Sequence, residues 1–211
     1  MTARTDGMLI DMTDVCACEP IALVDGEAFL IPHLFTGERA DAYLVALLDD
    51  VAWEQHAIRI GGRRVASPRL SAWYGDLGAR YAYSGLSHEP IPWSPVLAEI
   101  KAEVEAASGA AFNSVLANLY RDGADSMGWH SDDEPELGER PVIASASFGA
   151  TRRFRLRHRH RRELDPVAVP LSHGALLVMK GDTQSNWKHQ IPKTRKVSEP
   201  RVNLTFRTII R

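Results

Sequence analysis

Hydrophobic and polar residues follow two different periods in the two halves of this chain. In the first half, apolar residues recur every three or four positions over 37–53 and again over 95–108. This spacing predicts two amphipathic helices. Thr36 and Ser94 precede these segments as candidate N-caps, and Gly109 follows the second one as a helix stop.

Beyond residue 112 the period changes to two, as in β-strands. The clearest alternating segments are Ser114–Tyr120, Ile143–Phe148, Arg153–Arg159, Ala175–Met179 and Val202–Ile209. Short strands separated by frequent turns are typical of a β-sandwich or jelly roll, and not of alternating βαβ units. We therefore predict an α+β, mainly β fold, in which N-terminal helices pack on one side of a jelly roll.

We expect a single domain, because 211 residues suffice for one substantial core. Residues 1–20 are polar and poorly patterned, so they are predicted to form a loose N-terminal segment. Residues 21–211 form the domain, and 112–211 form its jelly-roll core. We expect a monomer that does not contact a membrane, since the longest apolar runs are too short to cross one.

Cysteine content bears on the compartment. Cys16 and Cys18 lie close together outside any patterned segment, which favours a reducing, cytoplasmic location over a disulfide scaffold. A metal site at these cysteines is not favoured, because no second cysteine pair or nearby histidine completes it. The start of the chain also lacks the apolar stretch of a secretory signal.

Charge is unevenly distributed in a chain whose net charge is only −2. From Arg152 to Arg162 there are seven arginines, two histidines and no acidic residue. Alternation turns Phe154 and Leu156 inward and leaves four arginines outward, namely Arg153, Arg155, Arg157 and Arg159. Charge runs are usually solvated faces, but this uncompensated run favours contact with nucleic-acid phosphates.

A candidate metal site begins with Trp129-His130-Ser131-Asp132. Residues two apart on a strand or its exit point to the same side, so His130 and Asp132 can reach one ion, and His189 offers a third ligand. Two imidazoles and one carboxylate leave coordination positions open, as non-haem iron(II) oxygenases require. A His-x-Asp pair alone is weak evidence, because such pairs are often solvated or cap helices.

The segment Arg201–Arg207 alternates strictly and puts its polar residues on one face. That face is a row of donors about 20 Å long by strand rise. Arginine at each end of such a row suits the planar carboxylates of a dicarboxylate ligand. A strand with one solvated face gives the same pattern, and alternation alone favours that interpretation.

A series of motifs resembles the AlkB family of iron(II)- and 2-oxoglutarate-dependent dioxygenases, nearest its eukaryotic nucleic-acid demethylase branch. The likeness extends from about residue 68 to the C-terminus, in the family's order and spacing. The motifs are Asn118–Gly123, Trp129–Glu134, Ala144–Arg152, Leu171–Gly174, Trp187–His189 and Arg201–Arg207.

The resemblance implies a double-stranded β-helix that holds iron(II) through His130, Asp132 and His189, with O2 as the oxidant. It further implies contacts to 2-oxoglutarate from Asn118, Tyr120, Arg201, Asn203, Thr205 and Arg207. In this alignment Arg201 pairs with the distal carboxylate, and Arg207 lies near the carboxylate that chelates iron.

The resemblance also suggests substrate residues. Residues 68–90 look like the family's nucleotide-recognition lid, and Asp133 matches the position that meets the exocyclic amine of a flipped base. The lid residues implied to contact substrate are Arg69, Tyr74, Tyr81 and Tyr83. Tyr81 and Tyr83 are alternatively ordinary core aromatics. Residues 60–64 lack the aromatic wedge of duplex-specialised relatives, which favours single-stranded substrates.

The function implied by the resemblance is oxidative demethylation of N-alkylated bases, such as 1-methyladenine and 3-methylcytosine, in alkylation damage repair. The expected partner is methylated DNA or RNA, with single strands favoured. One alternative is a 2-oxoglutarate-dependent hydroxylase of a protein or small molecule, against which the arginine run argues. Another is a nucleic-acid-binding module without catalysis, against which the complete ligand set argues.

Overall fold

The computed structural model describes residues 18–60, 63–79, 81–83 and 86–210. The helices are α1 (Gly37–Asp50), α2 (Pro95–Ser108) and the short α3 (Thr183–Asn186), and a 3₁₀ turn covers Pro135–Leu137. The strands are β1 (Glu19–Ile21), β2 (Glu27–Ile31), β3 (Ala57–Ile60), β4 (Arg63–Ala66), β5 (Leu70–Gly75), β6 (Tyr81–Tyr83), β7 (Leu86–His88), β8 (Ser114–Tyr120), β9 (Met127–His130), β10 (Ile143–Gly149), β11 (Arg152–His158), β12 (Val167–Leu171), β13 (Ala175–Lys180), β14 (Trp187–Ile191) and β15 (Arg201–Arg207).

Most of these strands belong to two antiparallel sheets. The larger sheet has the order β1-β2-β13-β10-β15-β8-β5, and the smaller has the order β12-β11-β14-β9. Hairpins β3–β4 and β6–β7 pair separately. From β8 to β15 the chain passes from one sheet to the other at every connection except that between β11 and β12. Such crossing between two antiparallel sheets is typical of a jelly roll and confirms the predicted fold class.

The larger sheet is the middle of three layers. Leu47 of α1 and Ile100 of α2 belong to the same core cluster as Val202 of β15, so the helices cover one face of this sheet. A second cluster joins Leu177 of β13 to Leu156 of β11, so the smaller sheet covers the other face. Because both faces are covered, the central strands β10 and β13 are buried along nearly their whole length.

Both predicted helices are present. The expected N-terminal capping bond is found in α2 but not in α1. The Ser94 hydroxyl accepts a hydrogen bond from the Leu97 amide, and Gly109 ends α2 with a left-handed φ of 70°. Thr36 occupies the N-cap position of α1 without a side-chain capping bond, and this helix ends at Asp50, earlier than residue 53.

The predicted strands are found with their ends shifted by at most two residues. The C-terminal strand covers Arg201–Arg207, whereas the pattern predicted Val202–Ile209. Of the predicted loose segment 1–20, the first seventeen residues lie outside the described part of the chain, and Glu19 and Pro20 belong to β1.

Candidate metal centre and active site

Adjacent strands of the smaller sheet bring two histidines next to each other. The β9–β14 pairing sets His130 opposite His189, and their ring centroids lie 4.2 Å apart. Asp132 follows β9 and has its Oδ2 atom 3.9 Å from His189 Nε2. One ligand atom from each of the three side chains lies within 4.8 Å of the others. This spacing suits a single metal ion and leaves part of its coordination sphere open.

His130 is oriented by the main chain. Its Nδ1 lies 2.9 Å from the carbonyl oxygen of Gly128. Because a carbonyl oxygen only accepts hydrogen bonds, Nδ1 carries the hydrogen and Nε2 keeps its lone pair for a metal.

Asp132 is buried and its position is fixed from two directions. Its carboxylate accepts a hydrogen bond from Arg207 Nη2, and its backbone amide donates to Gln184 Oε1 at 3.0 Å. Burial alone would raise the pKa of Asp132, but the charge of Arg207 outweighs it. The pKa therefore falls below its usual value, so the carboxylate is ionised and ready to bind a cation.

His189 is held in its neutral form. Burial, reinforced by the neighbouring His130, lowers its pKa to about 3 against the partial opposition of Asp132. The Phe154 ring stacks on the imidazole at a centroid distance of 5.0 Å. A neutral imidazole has the free lone pair that metal binding requires.

The inner face of β8 and β15 forms a polar wall beside the three ligands. Strand pairing sets Arg201 opposite Tyr120 and Asn203 opposite Asn118. Arg201 Nη2 donates to Ser147 Oγ at 2.9 Å and to Asn203 Oδ1 at 2.7 Å. Asn203 Nδ2 in turn donates to Thr205 Oγ1 at 2.9 Å. The predicted row of donors therefore faces the interior of the barrel.

Arg201 is the strongest sign that this wall receives an anion. The side chain is buried, and burial lowers its pKa to about 10. Its Nε and Nη1 atoms have no hydrogen-bond partner among the described residues. Buried donors without partners are costly unless a ligand satisfies them, so the wall fits the carboxylate of 2-oxoglutarate.

One pocket joins the ligands to this wall. It is lined by His130, Asp132 and His189 together with Asn118, Tyr120, Asn203, Thr205 and Arg207. The open space between these side chains is about 30 Å³, which is roughly room for one water. Arg207, which lines this pocket, forms an ion pair with Asp132.

A second cavity of about 220 Å³ shares Leu116 with this pocket. Arg69 and Trp73 line it together with Glu54 and Glu89. The predicted lid residue Arg69 is buried, and its Nε donates to Asn118 Oδ1 at 2.7 Å. The lid therefore contacts the polar wall through this arginine.

The three tyrosines predicted for the lid lie on two different strands. Tyr74 packs in the core beneath the helices, where its hydroxyl accepts a hydrogen bond from the Ala52 amide at 2.9 Å, so it is not brought to the cavity. Tyr81 and Tyr83 lie in β6, and their side chains are outside the described part of the chain.

The arginine run divides between the two faces of β11. Arg153 and Arg157 are exposed and Arg155 is half-buried, on the face that points away from the metal ligands. Arg157 lies over the Trp129 ring at 4.3 Å. Arg159, which follows the strand, donates to Asp133 Oδ2 at 2.6 Å, so two predicted substrate residues pair with each other.

Sequence comparison identifies the family. The description "2OG-Fe(II) oxygenase superfamily" matches residues 27–207. Human alpha-ketoglutarate-dependent dioxygenase alkB homolog 3 is 48% identical over 191 residues, which cover 85% of this chain and 65% of that protein. Human DNA oxidative demethylase ALKBH2 is 43% identical over 186 residues, which cover 84% of this chain and 71% of that protein. The chain belongs to the AlkB family.

A solved structure, that of OsALKBH1, matches the AlkB-family fold seen here. The TM-score is 0.63 at 16% identity, over 90% of this chain and 99% of the other. At this identity the likeness concerns the fold alone. This chain spans just under two thirds of the length of the alkB homolog 3 relatives. Among the described residues, no helix is both long and apolar enough to span a membrane.

Two positioning residues in this AlkB-family chain escaped the sequence analysis. Gln184, from the four-residue helix α3, holds the Asp132 amide, and no periodic pattern marks so short a helix. Arg152 belongs to the basic run, yet it is buried and donates to the carbonyl oxygens of Asp122, Asp125 and Pro192. Period-two alternation puts Arg152 on the inner face with Phe154, so that signal was available.

Proposed function

We propose that this chain removes N-methyl groups oxidatively from alkylated bases in nucleic acid. The observation that carries the proposal is the convergence of His130, Asp132 and His189 on a pocket lined by Arg207, with the buried, partly unpaired Arg201 further along the same strand as Arg207. A ligand set of this kind beside a guanidinium-lined cleft suits iron(II) and 2-oxoglutarate together. Family membership supports the same pair of cofactors.

Two of the three proposed ligand side chains already have the protonation state that iron(II) binding would require. His189 is neutral because of its lowered pKa, and Asp132 is ionised. When bound, iron(II) with 2-oxoglutarate and O2 supplies the oxidising power to hydroxylate an N-methyl group, and the hydroxymethyl product then loses formaldehyde.

The polar wall would hold 2-oxoglutarate. Arg201 would pair with the distal carboxylate, since its Nε and Nη1 lack hydrogen-bond partners in the described part of the chain. Arg207 would exchange its present contact with Asp132 for the carboxylate nearer the iron. The remaining contacts would come from Asn118, Tyr120, Asn203 and Thr205, which line the pocket.

The neighbouring cavity would hold the methylated base. Its volume of about 220 Å³ and its Trp73 wall suit a flat heteroaromatic ring. Carboxylates of Glu54 and Glu89 line the same space and favour a cationic ring, as 1-methyladenine and 3-methylcytosine are. Asp133 would accept from the exocyclic amine, and Tyr81 and Tyr83 would contact the base from the lid.

The nucleic-acid backbone would lie along the basic face. Arg157, Arg159 and Lys188 line one groove of about 490 Å³ together with Arg161 and Arg162. Arg159 is paired with Asp133, and Arg161 with Asp25 and Glu163. Phosphates that bind to such a cluster of cations release counterions. Arg153 and Arg155 would extend this contact along β11. We favour single-stranded substrates and further propose that the chain acts as a monomer in a reducing, cytoplasmic compartment.

The test is a demethylation assay on single-stranded DNA, duplex DNA and RNA that carry the same methylated base. We expect formaldehyde release to depend on 2-oxoglutarate and on the methyl group. Asp132→Ala should abolish turnover, because it removes an iron ligand, while leaving oligonucleotide affinity nearly unchanged. Turnover by this variant at added iron would falsify the ligand assignment.

A protein or small-molecule hydroxylase would behave differently in the same assay. It would consume 2-oxoglutarate slowly and equally with methylated and unmethylated oligonucleotides. That outcome would overturn the proposed substrate and leave the dioxygenase chemistry standing. No consumption of 2-oxoglutarate under any condition would instead indicate a binding module.

A further inference from the structure

An ion pair joins the metal-binding segment to the basic face. Asp133 Oδ2 and Arg159 Nη1 are 2.6 Å apart, and the two side chains are 46% and 29% exposed. Asp133 directly follows the ligand residue Asp132, and Arg159 directly follows β11. The pair therefore connects the two regions that the proposed function assigns to the base and to the backbone phosphates.

The surroundings hold both partners close while their charged ends stay accessible. The Arg159 amide donates to the Asn186 carbonyl oxygen at 2.7 Å, and its Nη1 also lies 3.4 Å from the Gln184 carbonyl oxygen. The Gln184 side chain in turn accepts from the Asp132 amide. With both main-chain segments anchored to α3, only the side chains need to move for the pair to open.

We propose that substrate binding exchanges this ion pair. A backbone phosphate takes Arg159, and this releases the Asp133 carboxylate to accept a hydrogen bond from the base. Selection of the base is therefore coupled to the presence of a neighbouring phosphate. This inference rests on the proposed function. It adds an explanation of substrate specificity that depends on residues outside the metal centre.

The exchange is physically reasonable because the pair is half-exposed. Ion pairs in contact with water contribute little to stability and open readily. A phosphate offers a guanidinium several acceptor oxygens and allows bidentate contact. Arg162 and Lys188, which line the same groove, raise the local concentration of phosphate around Arg159.

The test measures binding without oxygen, so that no turnover occurs, with iron(II) and 2-oxoglutarate present. The ligands are methylated and unmethylated single-stranded oligonucleotides and the corresponding free nucleosides. The variants are Asp133→Asn, Arg159→Gln and, as a matched control, Arg153→Gln. Arg153 is exposed on β11, the strand that Arg159 directly follows, and makes no ion pair with any described residue.

Exchange predicts opposite effects from the two partners. Asp133→Asn frees Arg159, so affinity for the unmethylated oligonucleotide should rise about two- to threefold. Its preference for the methylated oligonucleotide should fall about tenfold, because the exocyclic amine is common to both bases and the lost carboxylate charge favours only the cationic, methylated ring. Arg159→Gln should weaken oligonucleotide binding and raise the preference for the methylated nucleoside about two- to threefold.

The control should weaken oligonucleotide binding and leave the methyl preference unchanged. A static structural pair predicts that both Asp133→Asn and Arg159→Gln lower both affinities, and that result would overturn the exchange. If the variants behave this way while the wild-type protein still demethylates oligonucleotides, the proposed function survives alone. If the wild-type protein neither prefers nor demethylates methylated oligonucleotides, the proposed function fails together with the inference.

Discussion

Two strands of this protein carry rows of arginine with nearly the same sequence pattern and opposite surroundings. On β15, Arg201 and Arg207 are buried inside the barrel. On β11, Arg153 and Arg157 are exposed to solvent. Both strands alternate apolar and polar residues, so alternation alone does not reveal which row is solvated.

The difference arises from the layers around each strand. The apolar face of β15 packs beneath the helices, which forces its polar face into the space between the two sheets. The apolar face of β11 fills that same space, which leaves its arginines outside. A buried cation without full hydrogen bonding is costly and therefore indicates a ligand, whereas an exposed one costs little. The two rows should respond very differently to substitution.

The largest effect should come from the buried row. We expect Arg201→Met to raise the KM for 2-oxoglutarate by on the order of a hundredfold, because a buried charge-assisted contact is lost. The metal-free variant should be at least as stable as the wild-type protein, since the substitution removes a buried charge. Steady-state kinetics and chemical denaturation measure the two quantities.

Arg201→Lys is the matched control for charge. It keeps the cation without the planar fork, so its KM should lie between the other two values. An Arg201→Met protein with an unchanged KM and a lower stability would show that this arginine is structural, and the contrast between the rows would fail.

The second-largest effect should be a dependence of the unfolding free energy on pH, caused by the buried His189. Unfolded His189 takes up a proton near pH 6.5, whereas the folded residue, with its pKa of about 3, does not. The unfolded state thus binds more protons between these values, so stability falls as pH drops through this window. From pH 6.5 to about pH 4 the metal-free protein should lose on the order of a few kcal/mol of unfolding free energy.

Denaturation of metal-free wild-type protein and His189→Asn across that pH range checks this expectation. The variant lacks the titrating imidazole and should give a flatter curve. Asp132, whose pKa is also lowered, adds its own loss only below about pH 3.8. Parallel curves for the two proteins would contradict the buried, neutral state of His189.

The smallest effect should come from the exposed row. Arg157→Gln, at an exposed position of β11, is expected to weaken single-stranded oligonucleotide binding a few fold and to reduce the slope of log affinity against log salt by about 0.7. Fluorescence titration at several salt concentrations measures both. Arg39→Gln, on the helix side of the larger sheet, removes an exposed cation as a control and should leave the slope unchanged.

Short-range sequence patterns were sufficient to predict much of the secondary structure and the candidate metal ligands. Hydrophobic period predicted α2 and strand β8 with their ends within a residue, because capping residues and strict alternation act over short distances. The motif His130-Ser131-Asp132 with His189 predicted the ligand set that the structure brings within 4.8 Å. Those predictions depend on neighbours in sequence or on one recognisable motif.

Other features depended on the tertiary structure, because they arise between segments distant in the chain. The pairing of Asp133 with Arg159 and the contact of Gln184 with the Asp132 amide each join residues more than twenty positions apart. The burial of the β15 arginines needed helices and a second sheet to enclose them. Sequence supplied the donors and acceptors, whereas packing decided which of them lost water, and desolvation determines how strongly a charge acts.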